Sequence, residues 1–261
     1  MCQLSDEKTY LLASRLSGYK NRIKRATEIL SEEIKKAENP AVSFSAGKDS
    51  VVLLDLAVKA GFKGDLAFFK YGICTDVETP SENVELMKYY AEKYGLKYHI
   101  LDCLGEADCW EMCGRFTMFP ETKEEEKAFR ITNMDFQRQY AVFEKESGTD
   151  LSIIGMRKKE SERRRLLLSH RGEVYQTKSR KSRTCCPLAS LTNEDIWAYI
   201  FSNKLPYLSI YDYPYLDRRK NRNEITLLYN DAIIKNGMIF HYKQMYPDFF
   251  GWIKERWGNV V

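Results

Sequence analysis

A run of small, hydroxyl-bearing and charged residues offers the groups that bind phosphate. The run reads Ser45-Ala46-Gly47-Lys48-Asp49-Ser50. Small side chains let the backbone turn tightly, so that successive N–H groups and the amino end of a following helix can face an anion. Lys48 adds a positive charge, and the two serines add hydroxyl donors. The run is not a Walker A loop, because that pattern needs glycine at position 42, which is valine, and serine or threonine at position 49, which is aspartate.

The elements on either side of this run predict how it is held. Residues 41–44 (AVSF) form a short buried-strand pattern, and the apolar stretch at 51–59 predicts a helix, so the run is the turn that opens a βαβ unit. Further strands are predicted at 65–71, 96–101 and 151–155, and further helices at 81–94, 121–147 and 193–203, the last capped by Thr192. Strands alternating with helices predict an α/β fold with a doubly wound, mainly parallel sheet.

The two ends of the chain are predicted to be helical. Apolar residues between 5 and 38 recur at spacings of one, three and four, and Asn39-Pro40 ends the helical pattern. From Asp217 onward there is no clear strand pattern. We therefore predict one domain at 1–213, including the N-terminal helix, and a small helical C-terminal extension at 214–261.

Composition restricts the class of protein. The chain has 261 residues, 44% of them hydrophobic and 30% charged, which suits a folded domain with a sizeable core rather than a disordered chain. Seven cysteines are an uneven number, and the start Met1-Cys2 carries no secretory signal, so a reducing cytoplasm is expected rather than a disulfide framework. No apolar stretch reaches transmembrane length, so no membrane association is expected.

The phosphate-binding run resembles a known signature. SAGKDS after a strand is similar to the PP-loop SGGKDS of ATP pyrophosphatases, with Ala46 where that family has glycine. If this position requires a positive φ, alanine there is strained by about 1 kcal/mol. Three further segments occur in the family's order: 75–80 (TDVETP) is similar to its DTG…PET loop, 155–164 to GiRadES…R, and 186–212 to PL.dWT..DvW.YI followed by lPynpLYd.

Together these motifs identify residues 40–213 as similar to the PAPS reductase / PP-loop ATP pyrophosphatase superfamily, which has the adenine nucleotide alpha hydrolase-like fold. The resemblance implies an enzyme that cleaves ATP to AMP and pyrophosphate and adenylates a substrate for sulfur incorporation, with DNA phosphorothioation as the first choice of pathway. The implied catalytic residues are Lys48, Asp49 and Arg157. The implied nucleotide-binding residues are Ser45, Ala46, Gly47, Ser50, Asp76, Gly155 and Arg163. ATP with Mg²⁺ is the implied cofactor, and a cysteine desulfurase is the implied sulfur donor.

Two alternatives remain open. One is a sulfonucleotide enzyme, either a PAPS or APS reductase or a sulfate adenylyltransferase subunit. The reductases in the superfamily carry a nucleophilic cysteine in an ECGLH motif near the C-terminus, and this sequence has no cysteine after Cys186. The other is a regulatory or DNA-binding protein that senses ATP without turnover.

Two cysteine pairs admit three interpretations. Cys109-x3-Cys113 and the adjacent Cys185-Cys186 could supply four thiolates to a 4Fe-4S cluster or to zinc. Cys185 lies close to Arg183 in sequence, and an electropositive site would lower the pKa of a thiol and suit it to carry sulfur. Free cysteines are also commonly buried core residues, and Cys109 and Cys113 are one helical turn apart.

Positive charge is concentrated in one segment. The net charge is only +4, yet residues 157–183 hold eleven lysines and arginines against three acids, a local surplus of eight. The segment begins where a predicted parallel strand ends, which is where ligands bind in such sheets, so phosphate contacts are expected for Arg157 and Arg163. This charge also suits DNA or a DNA-bound partner. A dimer is one option for the oligomeric state.

Overall fold

The structure is a computed structural model that describes residues 3–74, 78–117, 119–177, 180–212, 243–244 and 246–258. The helices are α1 (Gln3–Ala13), α2 (Ser17–Lys36), α3 (Lys48–Lys59), α4 (Ser81–Tyr94), α5 (Glu106–Cys113), α6 (Lys123–Ser147), α7 (Glu162–Arg171), α8 (Asn193–Asn203) and α9 (Pro247–Trp257). The strands are β1 (Pro40–Phe44), β2 (Asp65–Tyr71), β3 (Tyr98–Cys103), β4 (Leu151–Ile153), β5 (Val174–Gln176) and β6 (Arg183–Cys185).

The strands form one sheet in the order β3-β2-β1-β4-β6-β5. β1 pairs in parallel with β2 on one side and with β4 on the other, so that Val42 lies opposite both Leu66 and Ile153. β4 pairs in parallel with β6, and only β5 among the registered pairs of the described strands runs antiparallel to its neighbour. The predicted α/β fold with a mainly parallel, doubly wound sheet is confirmed.

The strand order places a topological switch point between β1 and β4. From β1 the chain goes on to β2 and β3 on one side, whereas β4 lies on the other side. The connections that follow β1 and β4 therefore leave the sheet in opposite directions, and a crevice opens at the carboxyl ends of these two strands. The run at 45–50 follows β1, and residues 154–157 follow β4, so both segments border this crevice.

The chain divides into two compact units. One contains Met1–Phe68, Glu85–His99 and Ala141–Asn223, and the other contains Phe69–Val84, Ile100–Tyr140 and Glu224–Val261. In the first unit, α3 is buried along most of its length, and Phe44 of β1 packs edge-on against Tyr90 with ring centroids 5.9 Å apart. The predicted boundary at residue 213 stays a prediction, because residues 213–242 lie outside the described ranges.

The second unit has its own aromatic core. Trp110 of α5 is fully buried, and its indole Nε1 donates to the carbonyl oxygen of Thr117 at 3.0 Å. Trp257 of α9 packs edge-on against Trp110 with ring centroids 5.4 Å apart. A helix is therefore present at 247–257, within the stretch that the sequence predicted to be helical.

Several element boundaries differ from the predictions. The single helix predicted at 5–38 is two helices, and Ser14 at the break donates its hydroxyl to the carbonyl oxygen of Leu11 at 2.7 Å. Such side-chain bonds to the backbone compete with helix continuation. The helices α5 and α7 and the strands β5 and β6 were not predicted. The predicted cap of α8 is confirmed, since Thr192 Oγ1 accepts from the backbone N–H of Asp195 at 3.1 Å.

The helices of the described ranges were compared with what a lipid bilayer requires. None of these helices is both long enough and apolar enough to span one.

Candidate functional site

The run at 45–50 forms a tight connection from β1 into α3. Helix α3 begins at Lys48, and its N-cap, Gly47, is extended and has no side chain to accept from the first turn. Instead, the hydroxyl of Tyr211 accepts the backbone N–H of Lys48 at 3.2 Å. Free N–H groups at a helix amino end are the usual ligands of a phosphate. The start of α3 therefore has the geometry of an anion site.

Ala46 has the backbone conformation that the sequence comparison with SGGKDS suggested. Its φ is +58°, in the left-handed region that favours glycine, and its side chain is fully buried. Among the described non-glycine residues only Lys204 shares a positive φ. The condition under which the sequence predicted strain at this position, a positive φ, is therefore met.

The two serines hold the turn in shape. The Ser50 hydroxyl donates to the carbonyl oxygen of Gly47 at 2.8 Å, and the backbone N–H of Ser45 donates to Ser50 Oγ at 3.3 Å. The Ser45 hydroxyl is also 3.3 Å from Ser50 Oγ, and Ser45 Oγ accepts weakly from the Gly47 N–H at 3.4 Å. The hydroxyls of Ser45 and Ser50, which the sequence predicted to bind a ligand, therefore form hydrogen bonds within the loop itself.

Asp49 joins the two cations of the site. Lys48 Nζ donates to Asp49 Oδ2 at 2.8 Å, and Arg157 Nε donates to Asp49 Oδ1 at 2.5 Å. Both cations are buried, Lys48 with 1% and Arg157 with 3% of its surface exposed. Burial would raise the pKa of Asp49, but the adjacent Lys48 and Arg157 charges outweigh it and lower that pKa below its ordinary value. One carboxylate thus fixes two buried cations beside the anion site.

The segment after β4 brings Arg157 to the loop. Gly155 lies against the backbone of α3, because a Cβ at this position would be 3.4 Å from the carbonyl carbon of Asp49. The backbone N–H of Arg157 donates to Glu160 Oε2 at 2.7 Å, and the next N–H, of Lys158, donates to the carbonyl oxygen of Ala189 at 3.0 Å. Glu160 belongs to the predicted GiRadES-like motif, although the sequence gave it no role.

The structure brings most, but not all, of the predicted site together. The loop residues, Gly155 and Arg157 share the crevice. Arg163 is exposed in the first turn of α7, and no hydrogen bond or ion pair joins it to the loop among the described residues. Asp76 lies outside the described ranges, so its assignment to the adenosine side stays a prediction.

Tyr211 is a site residue that sequence reasoning missed. Besides accepting from the Lys48 backbone, its ring lies 5.9 Å from Lys48 Nζ and packs edge-on against Trp197 at 5.3 Å. The signal in the sequence that could have indicated this residue is its position at the second tyrosine of the lPynpLYd-like segment.

The adjacent cysteines are buried thiols. Cys185 and Cys186 are fully buried, and Cys186 packs against Leu168 and Ala189. Burial raises the pKa of both thiols, that of Cys186 to about 12. The expectation of a lowered thiol pKa beside Arg183 is therefore wrong, because desolvation outweighs the nearby positive charge.

The other pair is also packed in apolar surroundings. Cys109 is fully buried against Ala128 and Phe129, with Cys113 alongside, and burial raises the pKa of Cys109 to about 12. The described residues contain no group of three or more histidine, cysteine, aspartate or glutamate side chains placed to hold a metal ion. The assignment of the four cysteines to a 4Fe-4S cluster or zinc therefore stays a prediction.

Sequence comparison finds a family match over most of the chain. The family profile described as phosphoadenosine phosphosulfate reductase domain matches residues 39–217. Sulfate adenylyltransferase subunit 2 of Photobacterium profundum is 26% identical in an alignment of 214 positions that covers 76% of this chain and 68% of that protein. The range matched by the family profile, residues 39–217, contains the loop, the Arg157 segment and Tyr211.

Solved structures share the fold. The phosphate complex of phosphoadenylyl-sulfate (PAPS) reductase from Candida auris superposes with a TM-score of 0.52 at 20% identity, covering 81% of this chain and 92% of that one. The U34-tRNA thiolase NcsA from Methanococcus maripaludis, solved with its [4Fe-4S] cluster, superposes with a TM-score of 0.50 at 16% identity, covering 93% and 83%. At these identities the likeness establishes the fold alone.

Proposed function

Because the chain belongs to the phosphoadenosine phosphosulfate reductase domain family, we propose that it is an ATP pyrophosphatase that adenylates a substrate for sulfur incorporation. The observation that carries this proposal is the buried Lys48–Asp49–Arg157 arrangement at the switch point, next to the amino end of α3. Two fixed cations and a helix amino end favour a polyanion such as the phosphates of ATP.

The proposed reaction is an in-line displacement at the α-phosphorus of ATP. An acceptor oxygen forms a new bond to this phosphorus, and the bond from the α-phosphorus to the α,β-bridging oxygen breaks. Pyrophosphate leaves with the bonding electron pair, so negative charge grows on its oxygens. Lys48 and Arg157 stabilise this charge, and Asp49 keeps both cations in place before the substrate arrives, which limits reorganisation during the reaction.

Magnesium enters this proposal with the substrate, as Mg·ATP. Both carboxylate oxygens of Asp49 already accept hydrogen bonds from cations, so Asp49 does not fit a resident Mg²⁺ ligand. Among the described residues no other group offers a metal site. For Asp49, this pairing favours a role in orienting the loop over a role in binding a metal.

The adenylated acceptor defines two variants of the function. In the first, the acceptor belongs to DNA phosphorothioation, and a cysteine desulfurase supplies sulfur that displaces AMP. In the second, the acceptor is sulfate, which the name of the relative from Photobacterium profundum favours. Both variants release pyrophosphate from ATP.

Product analysis with radiolabelled ATP tests the shared step. The protein is incubated with α-labelled ATP and Mg²⁺, alone, with sulfate, and with DNA plus a desulfurase and cysteine. AMP and pyrophosphate, or adenylyl sulfate and pyrophosphate, support the proposal. ADP and phosphate, or no product with any acceptor, would contradict it.

A lysine substitution with a matched control assigns the activity to the loop. Lys48→Ala should abolish turnover while far-ultraviolet circular dichroism stays unchanged. Lys63→Ala removes an exposed lysine of the same unit and should leave turnover at the wild-type rate. Equal turnover in Lys48→Ala and the wild type would refute the loop assignment.

A further inference from the structure

We propose that the basic segment, defined here as its described residues 157–177 and 180–183, binds the phosphate backbone of a nucleic acid. This inference rests on the proposed function and deepens it, since it names the chemical class of the acceptor and the residues that hold it. The inference is argued from two observations: the pairing of charges within the basic segment, and the position of that segment directly after Arg157, which contacts the loop.

The acids of the basic segment are already paired with arginines. Glu160 accepts from Arg164 at 2.5 Å, Glu162 pairs with Arg165, and Glu173 lies 3.3 Å from Arg25. Arg157 and Arg183 pair with carboxylates outside the segment, those of Asp49 and Glu33. Five further cations have no acidic partner among the described residues: Lys158, Lys159, Arg163, Arg171 and Lys181. All of these except the half-buried Lys158 are exposed. The positive charge of these exposed residues therefore faces solvent rather than the protein's own carboxylates.

These cations follow the loop-contacting Arg157 in the sequence. Lys159 lies two positions after Arg157, which bonds to Asp49, and the α7 helix follows directly. From Arg163 in its first turn to Arg171 at its end, α7 spans about 12 Å. That length corresponds to roughly three to four nucleotides of one duplex strand, at about 3.4 Å each. The Arg171 guanidinium is held over the ring of Tyr175 at 5.4 Å.

Several exposed cations distributed over one segment distinguish a polymeric acceptor from a small one. Sulfate needs only a few donors at one point. Exposed, unpaired cations further along are of use only to a chain of negative charges that continues beyond the reacting phosphate. Nucleic acids are such chains, and proteins that bind them are rich in lysine and arginine at the interface.

The composition of the basic segment also favours a nucleic acid over an acidic protein. Protein interfaces are enriched in aromatic residues and methionine at their centre and depleted in lysine. Within the described part of this segment, Leu166 is the one large apolar side chain that is strongly exposed, whereas Lys159 and Lys181 are both exposed.

Fluorescence anisotropy on the full chain tests this surface, without ATP, so that the result does not depend on turnover. The probes are labelled single-stranded DNA, duplex DNA and single-stranded RNA of one sequence, over a range of salt concentrations. The test variant is Lys159→Gln/Arg171→Gln/Lys181→Gln. The matched control, Arg15→Gln/Lys20→Gln/Lys63→Gln, removes the same number of exposed lysines and arginines elsewhere in the unit. Formation of AMP and pyrophosphate is measured separately for both.

The expected result is salt-dependent binding by the wild type and the control. The test variant should bind at least tenfold more weakly, with a slope of log affinity against log salt that is smaller by about 2 to 3, because each phosphate contact contributes about 0.7 to 0.9. Preference among the three probes identifies DNA or RNA. Absence of binding, equal weakening in both variants, or stronger binding of polyglutamate than of every oligonucleotide would each overturn the proposal. AMP formation without oligonucleotide binding would overturn this surface alone and leave the proposed reaction standing.

Discussion

Asp49 accepts a hydrogen bond from Nε of Arg157 at 2.5 Å, although 108 positions separate the two residues in the sequence. The pairing exists because β1 and β4 are parallel neighbours, so the segments that follow them meet at one edge of the sheet. Since Lys48 bonds to the other carboxylate oxygen, one acid determines the position of both buried cations. The site therefore depends on Asp49 as much as on the cations themselves.

Replacing this acid by its neutral isostere should damage both stability and activity. Asp49→Asn leaves Lys48 and Arg157 buried without a compensating charge, and breaking a buried pair from one side costs about 3 kcal/mol or more. We expect the free energy of unfolding in urea to fall by about that amount and AMP formation to fall by at least 100-fold. Glu162→Gln breaks an exposed pair with Arg165, which solvent screens, and should leave the free energy of unfolding close to that of the wild type. Equal losses in the two variants would contradict the role of Asp49.

The left-handed backbone at position 46 predicts an unusual tolerance of glycine. In Ala46→Gly, relief of about 1 to 2 kcal/mol of backbone strain offsets the loss of a buried methyl group and the flexibility of glycine. We expect the melting temperature and the turnover to stay close to those of the wild type. Ala57→Gly, at a buried position inside α3, lacks that relief and should lose about 1 to 2 kcal/mol of stability. A larger loss of stability in Ala46→Gly than in Ala57→Gly would argue against backbone strain at position 46.

The sequence was sufficient to predict the parts of the site that depend on local pattern. The loop at 45–50 and the arginine after the fourth strand were identified because each occurs in a short motif next to an apolar strand. The bond between Asp49 and Arg157 was not predictable in this way, since it depends on the order and register of β1 and β4. Tyr211 was missed for a similar reason, because its contact with Lys48 joins residues 163 positions apart.

The elements missed by the sequence lie in the least regular patterns. Helix α7 (ERRRLLLSHR) has consecutive arginines and leucines instead of apolar residues every three or four positions, so the period of a helix was hidden. Strands β5 and β6 have three residues each, too few for alternation to be recognised. The charge of the segment attracted attention, whereas its secondary structure gave no clear signal.

Several buried carboxylates predict loss of stability in acid. The pKa values of Asp49, Asp55 and Asp195 are lowered in the folded protein, because bonds from neighbouring cations and hydroxyls outweigh the effect of burial. Groups with a lowered folded pKa stabilise the fold above their unfolded pKa, near 3.9, and lose that contribution as the pH falls through the folded value. We expect the contribution of these three carboxylates to the melting temperature to be constant down to about pH 5 and to be lost below about pH 4.

Removing Arg22, the ion-pair partner of Asp195, should reduce this dependence of the melting temperature on pH. Arg22 donates to both carboxylate oxygens of Asp195 at 2.7 Å. In Arg22→Gln the melting temperature should be lower near neutral pH, and its further decrease on acidification should be smaller than in the wild type. Lys24→Gln, on the same helix and largely exposed, should retain the wild-type profile. An unchanged profile in Arg22→Gln would contradict the assignment.

The buried thiols should be chemically inert in the folded protein. Cys185 and Cys186 are inaccessible and have raised pKa values, so iodoacetamide at mildly alkaline pH should leave both unmodified until denaturant is added. Cys74 is exposed, and its pKa rises to about 11 through its hydrogen bond with Asp108, so its labelling rate should keep increasing as the pH approaches that value. Mass spectrometry of peptides reads out each site. Rapid labelling of Cys186 in the folded state, or iron with a visible absorbance band, would contradict this prediction.

Tyr211 should compete with phosphate for the start of α3. Its hydroxyl accepts the backbone N–H of Lys48, a group that a bound phosphate oxygen would also use. In Tyr211→Phe the ring keeps its contact with Trp197, but the N–H loses its partner in the unliganded protein, which costs about 1 kcal/mol. The bound state regains an acceptor from the ligand, so this cost favours binding. We expect the melting temperature to fall slightly and the affinity for pyrophosphate, measured by calorimetry, to increase about fivefold.

Tyr207→Phe is the matched control. It removes a hydroxyl that bonds to Asp212 in the same aromatic cluster and should leave pyrophosphate affinity unchanged. Weaker pyrophosphate binding in Tyr211→Phe would contradict this prediction, because it would mean that the Tyr211 hydroxyl contacts the ligand directly instead of being displaced by it.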